Sequence, residues 1–343
     1  MDKTSDSKSA LPVQWLVLMG IGWAVFALLF FLLFSVQFPG QERPGWYQWG
    51  TTILETVAFL WAAILCFRNW RSPQIVSGRN VWLLFGLGMF SYFIGSLLFS
   101  YWEMGLGIEP DVSPGDFFYV LTYIFLILGM LMAVGSRRLN LEIWQWGIVA
   151  AIAALGILVS WVVSNQSPAQ SLANPTNPWL IEPVAAQTAP ATTKPAPVAS
   201  PVPVVKKTPA LTVSPKALPD KEANVPQWAK SLEEVLSPLK PVLDWFYVIS
   251  DILLLILATI LLLAFWGGRF SQTWRMVAAA AFCLFIADVG FKYASRPGAD
   301  YQSGGLVEVL WIFSAVLFGI GAALEYDLSS RSRSRSSTRR RTT

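Results

Sequence analysis

Apolar residues recur in eight blocks, each bounded by charges, prolines or interfacial aromatics: Val13 to Phe38, Trp46 to Phe67, Val81 to Tyr101, Asp116 to Val134, Ile143 to Val163, Val242 to Trp266, Trp274 to Ala294 and Gly305 to Leu324. A helix of ~20 residues at ~1.5 Å rise crosses the ~30 Å hydrocarbon core, so each block predicts a membrane-spanning helix. The first block is too long for a signal-peptide core and lacks a small-residue cleavage site. The pattern predicts an all-α, polytopic membrane bundle of eight spans.

Cations alternate along the chain. Lys3 and Lys8, then Arg68, Arg71 and Arg79, then Arg137 and Arg138, then Arg269 and Arg275, then the tail arginines fall on one side of the predicted bundle. The opposite short loops hold Arg43, Lys292 and Arg296, with Glu103, Glu109, Asp111 and Asp116 crowding the third. Lys and Arg near span ends stay cytoplasmic, which predicts that both termini are cytoplasmic. Trp and Tyr at span ends, such as Trp46, Trp49, Trp102, Trp245 and Trp266, fit interfacial belts.

Between the fifth and sixth spans the composition shifts to Pro, Ala, Thr, Val and Lys, which excludes regular structure over 164–226 and predicts an exported, disordered loop. In 227–241, Trp228, Leu232, Val235 and Leu236 stand at helical spacing opposite Lys230, Glu233 and Glu234, the mark of an amphipathic helix on the membrane surface. The organisation is therefore 1–12 cytoplasmic, 13–163 the first half plus the fifth span, 164–226 the exported loop, 227–241 the surface segment, 242–325 the last three spans and 326–343 a cytoplasmic tail. Arg331, Arg333, Arg335, Arg339, Arg340 and Arg341 lie among Ser and Thr in that tail, which reads as a disordered anchor to anionic lipid.

Composition narrows the chemistry. Among 343 residues, 54% are hydrophobic and 13% charged, with no histidine and two cysteines, Cys66 and Cys283, each in an apolar run. The absence of histidine removes the usual general base and metal ligand, and two apolar cysteines offer no disulfide framework. No phosphate-binding glycine loop, HExxH or CxxC appears, and Ser237-Pro-Leu-Lys240 is a chance match to a Ser-Lys nucleophile pattern. The expectation is a protein without catalytic residues, cofactor, metal or specific nucleic-acid binding, whose partners are the bilayer and another membrane or cytoplasmic protein.

Acids inside the spans are the strongest functional signal, because hydrocarbon makes them costly. Glu55 and Asp251 lie about 9 residues, ~13 Å, past the outer ends of their helices, Asp288 two turns before the end of its span and Glu308 one turn into the last. Lys292 follows Asp288 at i,i+4, which suits an ion pair. These five residues are the candidate pocket, opening outward, with helix-packing glue as the competing reading. If Glu55 and Asp251 face one another, like charge in a poorly solvated site leaves one of them protonated.

An internal repeat sets these two acids at matching positions. Placing Trp49 on Trp245 sets Glu55 on Asp251; Phe90 to Ile94 falls on Phe282 to Ile286; Ser113, Gly115 and Gly129 match Ser303, Gly305 and Gly319. Duplication of a four-helix unit would relate two parallel halves by an axis along the membrane normal. Small residues four apart, Gly20/Ala24, Ser91/Gly95, Gly129/Ala133 and Gly319/Ala323, predict close-packing faces.

Four motifs carry a family resemblance. Val112-Ser-Pro-Gly-Asp116-Phe-Phe-Tyr119 resembles a P-S-P-A-D-x-x-Y helix start, Tyr247-Val-Ile-Ser-Asp251 resembles Y-P-L-G-D, Ala287-Asp288 matches an A-D pair, and Tyr301 to Trp311 resembles Y-x-x-G-x-x-x-D-x-x-W with Glu308 in place of Asp. Val81 to Leu324 is thus similar to the multi-helix membrane input region of bacterial GGDEF and EAL signalling proteins and some sensor kinases. The resemblance implies a sensory bundle in a bacterial cytoplasmic membrane, or in thylakoids if the host is cyanobacterial. That family continues into a cytoplasmic output domain; here a short tail follows the eighth span, so the expectation is a sensor or adaptor that signals through a separate partner. A structural subunit or assembly factor is the alternative, and a proton-coupled transporter ranks last.

Overall fold

The structure, a computed structural model, describes residues 12–36, 43–108, 112–135, 141–165, 225–266, 271–295 and 301–341, the last ten without side chains. Lys3, Lys8, Glu109, Asp111, Arg137, Arg138, Arg269 and Arg296, nearly all of the 164–226 loop and the side chains of Arg333, Arg335, Arg339, Arg340 and Arg341 lie outside the described residues. The elements are α1 (Val13–Phe34), α2 (Gly45–Arg71), α3 (Arg79–Ser100), α4 (Pro114–Gly135), α5 (Ile143–Asn165), α6 (Gln227–Leu236), α7 (Lys240–Ala264), α8 (Ser271–Ala294) and α9 (Val309–Arg341). A π-turn, Tyr101–Gly105, extends α3; 3-10 turns at Ser237–Leu239 and Leu306–Glu308 lead into α7 and α9. Among the described residues, eight helical spans are long and apolar enough to cross a membrane, α6 being continuous with α7 through the turn between them.

Local chemistry sets where these helices begin and end. Pro114 occupies the first position of α4, where its missing N–H costs nothing, and the Asp116 carboxylate reaches back to the Ser113 N–H at 2.8 Å while Ser113 Oγ accepts from Gly115 N–H at 3.2 Å. Asp116 thus makes the N3 half of a capping box, while the Ser113 hydroxyl caps the N2 amide. Arg68 and Arg71 close α2, complementing its negative end. The first helix stops at Phe34, four residues short of the expected Phe38, with Ser35 N–H bonded to Phe31 O. At the other extreme, α9 remains helical through Arg341, where the sequence pattern predicted a disordered tail from residue 326.

Six helices close a ring in the order α2, α3, α4, α7, α8, α9 and back to α2. Outside it, α1 packs on α9 and α2, and α5 packs on α7 and α8. The outer helices show apolar residues to the surroundings, Leu18, Phe26 and Leu33 from α1 and Leu155, Leu158 and Trp161 from α5. A lipid-facing surface has this character, and the polar groups turn inward. α2 and α9 run parallel: Tyr47 OH donates to Gly304 O at 2.7 Å at one end of the pair, and Asn69 Nδ2 donates to Ala322 O at 2.8 Å at the other.

The ring interior has two unlike halves. Toward the Asn69 end it is filled by Trp82, Phe85, Met130, Leu261, Trp274 and Phe318, all essentially inaccessible. Small residues let the helices approach closely, at the cavity end as well as here. A Cβ on Gly115 would sit 2.7 Å from Gly95 O, so α3 and α4 touch backbone to backbone, and one on Gly319 would sit 2.2 Å from the Trp61 ring. The predicted small-residue faces do pack: Gly20 also meets Trp61, and Ala133 and Ala323 are buried. Toward the Tyr47 end the ring opens into a cavity.

Substituting Gly115 by Ala should cost about 1–3 kcal/mol, because backbone rather than a movable side chain blocks the new methyl. Gly147 of α5, which has nothing within 4 Å of its Cβ position, is the control: Gly147→Ala should leave thermal unfolding in detergent unchanged or slightly raised.

Candidate functional site

The cavity, of ≈250 Å³, is walled by residues of α2, α3, α4, α5, α7, α8 and α9 and contains all five sequence-predicted residues: Glu55, Asp251, Asp288, Lys292 and Glu308. Their roles differ. On α2, Glu55 Oε1 accepts from Ser96 Oγ of α3 at 2.6 Å, the Tyr92 hydroxyl also bonds to this carboxyl, and Tyr119 OH of α4 reaches Ser96 Oγ at 3.5 Å. Tyr92 is held in place by stacking on Phe59, ring centroids 3.7 Å apart.

The floor is an acid–phenol–acid unit. Tyr123 OH of α4 lies 2.7 Å from Asp251 Oδ1 of α7 and 2.6 Å from Asp288 Oδ2 of α8, and Trp311 Nε1 of α9 donates to Asp288 Oδ1 at 2.7 Å. A phenol carries one proton and cannot donate to both carboxyls, so a proton on one of the acids completes the set. Four helices meet in these three contacts. Asp251 therefore pairs with Asp288 through Tyr123, and Glu55 and Asp251 take separate partners, Ser96 for one and Tyr123 for the other.

Lys292 makes its ion pair with Asp244 of α7, Nζ to Oδ1 4.0 Å, rather than with Asp288 one turn earlier. Both are partly exposed at the mouth, so the pair contributes little. Glu308 belongs to the chain turn before α9. Its carboxylate accepts from Gly304 N–H (2.7 Å), Gly305 N–H (2.8 Å) and Tyr301 OH (2.6 Å). Burial, and the Glu308 carboxylate beside it, push the Tyr301 phenol well above its ordinary range, so it stays a donor. Gly304 has φ +98°, and a Cβ there would lie 2.6 Å from the Tyr47 ring; Arg43 ties the same turn down through the carbonyls of Gln302 and Ser303. Glu308 is thus a cap within the cavity wall.

Several wall residues were not assigned to the pocket from the sequence: Asp116, Tyr119, Tyr247 and Trp311 stood there only as motif positions, and Tyr92 and Tyr123 had no role. Tyr247 OH donates to Asp116 Oδ1 at 2.7 Å, joining the mouth of α7 to the first turn of α4. The signal was present as polar stripes at helical spacing, Asp116-Tyr119-Tyr123 on α4, Asp244-Tyr247-Asp251 on α7 and Tyr92-Ser96-Ser100 on α3.

A second polar cluster lies at the opposite end. Glu325, fully buried, accepts from Ser77 N–H (3.2 Å) and Ser329 Oγ (3.3 Å), and the Arg68 guanidinium lies 4.2 Å from the centre of the Tyr326 ring. Ending the span at Leu324 hid this cluster. The tail arginines belong to this end, away from the cavity, and Arg331 pairs with Asp327 at i,i+4, Nε to Oδ2 2.9 Å. Cys66 is buried and Cys283 partly so. Among the described residues no group of His, Cys, Asp and Glu is arranged to hold a metal ion.

Compared with protein-family models, curated proteins and solved structures, the chain matches none. The likeness to membrane input regions rests on its four motifs.

Removing the shared hydroxyl with Tyr123→Phe should lower stability by about 1–3 kcal/mol, since two buried carboxyls lose their common donor. Thermal unfolding in detergent measures this. The protonated-carboxyl C=O infrared band of the wild type should shift in this variant and disappear in Asp251→Asn combined with Asp288→Asn.

Proposed function

We propose that the chain is a non-enzymatic membrane receptor or adaptor, in which occupancy of the cavity is passed through α9 to a separate protein partner. The observation that carries this reading is the span of α9. Its Trp311 holds Asp288 in the cavity floor, its Phe318 sits in the packed half, its Glu325 anchors the opposite end, and the helix runs on to Arg341. A change at Asp288 thus acts on one rigid element that reaches past the bundle. The reading places the bundle in a bacterial cytoplasmic membrane, or a thylakoid, with the cavity facing outward, both termini cytoplasmic and the tail arginines on anionic lipid.

Duplication of a four-helix unit accounts for the ring. A twofold exchanging α2, α3 and α4 with α7, α8 and α9 maps the ring contacts onto themselves, and the register that aligns Phe90 with Phe282 sets Ser96 on Asp288. The Glu55–Ser96 pair is then the counterpart of the Asp251–Asp288 pair. The outer helices depart from this symmetry: α1 straddles α9 and α2, whereas α5 sits on α7 and α8 instead of α4 and α7.

A second reading, a structural subunit or assembly factor, draws on Glu308 and Asp116, whose carboxylates cap helix starts. The two readings separate in a distance measurement. With Cys66 and Cys283 replaced, spin labels at Arg71→Cys and Ala264→Cys report the end opposite the cavity. A receptor predicts that Asp288→Asn shifts their distance distribution in the inserted protein. An unchanged distribution accompanied only by lowered thermal stability would overturn the receptor reading and favour the structural one.

A further inference from the structure

We infer that the cavity takes a small organic ammonium ion, a conclusion that rests on the cavity being a receiving site. Three features of the wall point to that class. The deep part presents carboxyls from three different helices, Glu55, Asp251 and Asp288, and the lysines that line the cavity, Lys240 and Lys292, belong to its mouth, at the first residue of α7 and near the end of α8. Charge therefore grades from mixed at the opening to acidic within.

The second feature is independent of the acids. Tyr92 and Tyr119 stand 5.0 Å apart at an interplanar angle of 59°, and Tyr123 and Tyr247 stand 5.7 Å apart at 56°. These tilted rings line the same cavity, and an aromatic ring attracts a cation through its negative face. Stacking on Phe59 and the hydroxyl bonds of Tyr92 to Glu55, Tyr119 to Ser96, Tyr123 to Asp251 and Asp288, and Tyr247 to Asp116 fix the rings beforehand, so little order remains to be imposed when a ligand arrives.

The third feature is size. A void of ≈250 Å³ is roomy for a bare inorganic cation, and the carboxyl oxygens already accept from Ser96, Tyr123 and Trp311. What remains is a space with acidic and aromatic walls, suited to an ammonium group on a short carbon chain. An anion of the same size would meet Glu55, Asp251 and Asp288 in a poorly solvated site, where like charge is costly.

Isosteric probes test this without any mutation. Butylammonium chloride, butan-1-ol and sodium butanoate are titrated calorimetrically into the full chain in phosphatidylcholine nanodiscs. Butylammonium should bind at least ten-fold more tightly than either isostere. Glu55→Gln and Asp251→Asn should each weaken it at least ten-fold, Tyr119→Phe should retain it, Tyr119→Leu should lose several-fold, and Gly147→Ala should leave it unchanged.

Preference for butanoate, equal affinity for the three probes, or binding of none by the folded wild type would each overturn the cation assignment. The receptor reading fails separately. If the cation is rejected but Asp288→Asn still shifts the label distances, the ligand class falls and the receptor stands. If butylammonium binds with the expected preference and the distances never change, the ligand class stands and the receptor falls.

Discussion

A carboxyl group in the middle of an apolar bundle needs a partner, and in this protein the need is met by one phenol. Tyr123 bonds to Asp251 and Asp288 at once while Trp311 holds the second oxygen of Asp288. Each contact crosses between helices, so α4, α7, α8 and α9 are fixed in register at a common depth. An unpartnered polar group there would cost several kcal/mol, which makes the arrangement specific as well as stable. Displacing any one helix along its axis by a turn would break the set, and the cavity floor would go with it.

The two halves of the ring follow from different uses of small and large side chains. Where Gly129 admits the Phe85 ring and Gly319 the Trp61 ring, the helices close and the interior fills with aromatics. Where hydroxyls and carboxyls line the helices, their mutual bonds hold the walls without filling the space between them. The parallel pair α2 and α9 joins both regions, with Tyr47–Gly304 at the cavity end and Asn69–Ala322 at the packed end. The two contacts hold α2 and α9 in a fixed register over this stretch, and α9 runs on past Ala322 to Arg341.

Much of this was legible along the chain. Eight apolar blocks announced the spans, and the rarity of charge within them made Glu55, Asp251, Asp288 and Glu308 conspicuous. The amphipathic segment around Trp228 is helical as its spacing required; Trp228 packs edge-on to Trp102, centroids 5.6 Å apart. Tyr119 and Tyr247 stood out only as motif positions, and Tyr92 and Tyr123 not as wall residues, because a tyrosine in a span is usually read as interfacial, although their i,i+3 and i,i+4 spacing with acids marked inward-facing stripes. Glu325 was overlooked for a related reason: a charge at the edge of an apolar block looks like the end of the helix, and burial there depends on the 72–78 turn folding over it.

By itself the sequence determined the number of spans, the depth of Glu55, Asp251 and Asp288 along their own helices and the helix start at Pro114, because these depend on composition and on bonds between residues a few positions apart. Only the tertiary structure decided which acids meet. Asp288 joins Asp251 rather than Lys292, Lys292 turns to Asp244, Glu55 finds Ser96, and Glu308 is taken by its own turn. Those choices depend on which faces of separate helices are brought within ~3 Å, and local spacing along one helix does not contain the rotation and register of its neighbour.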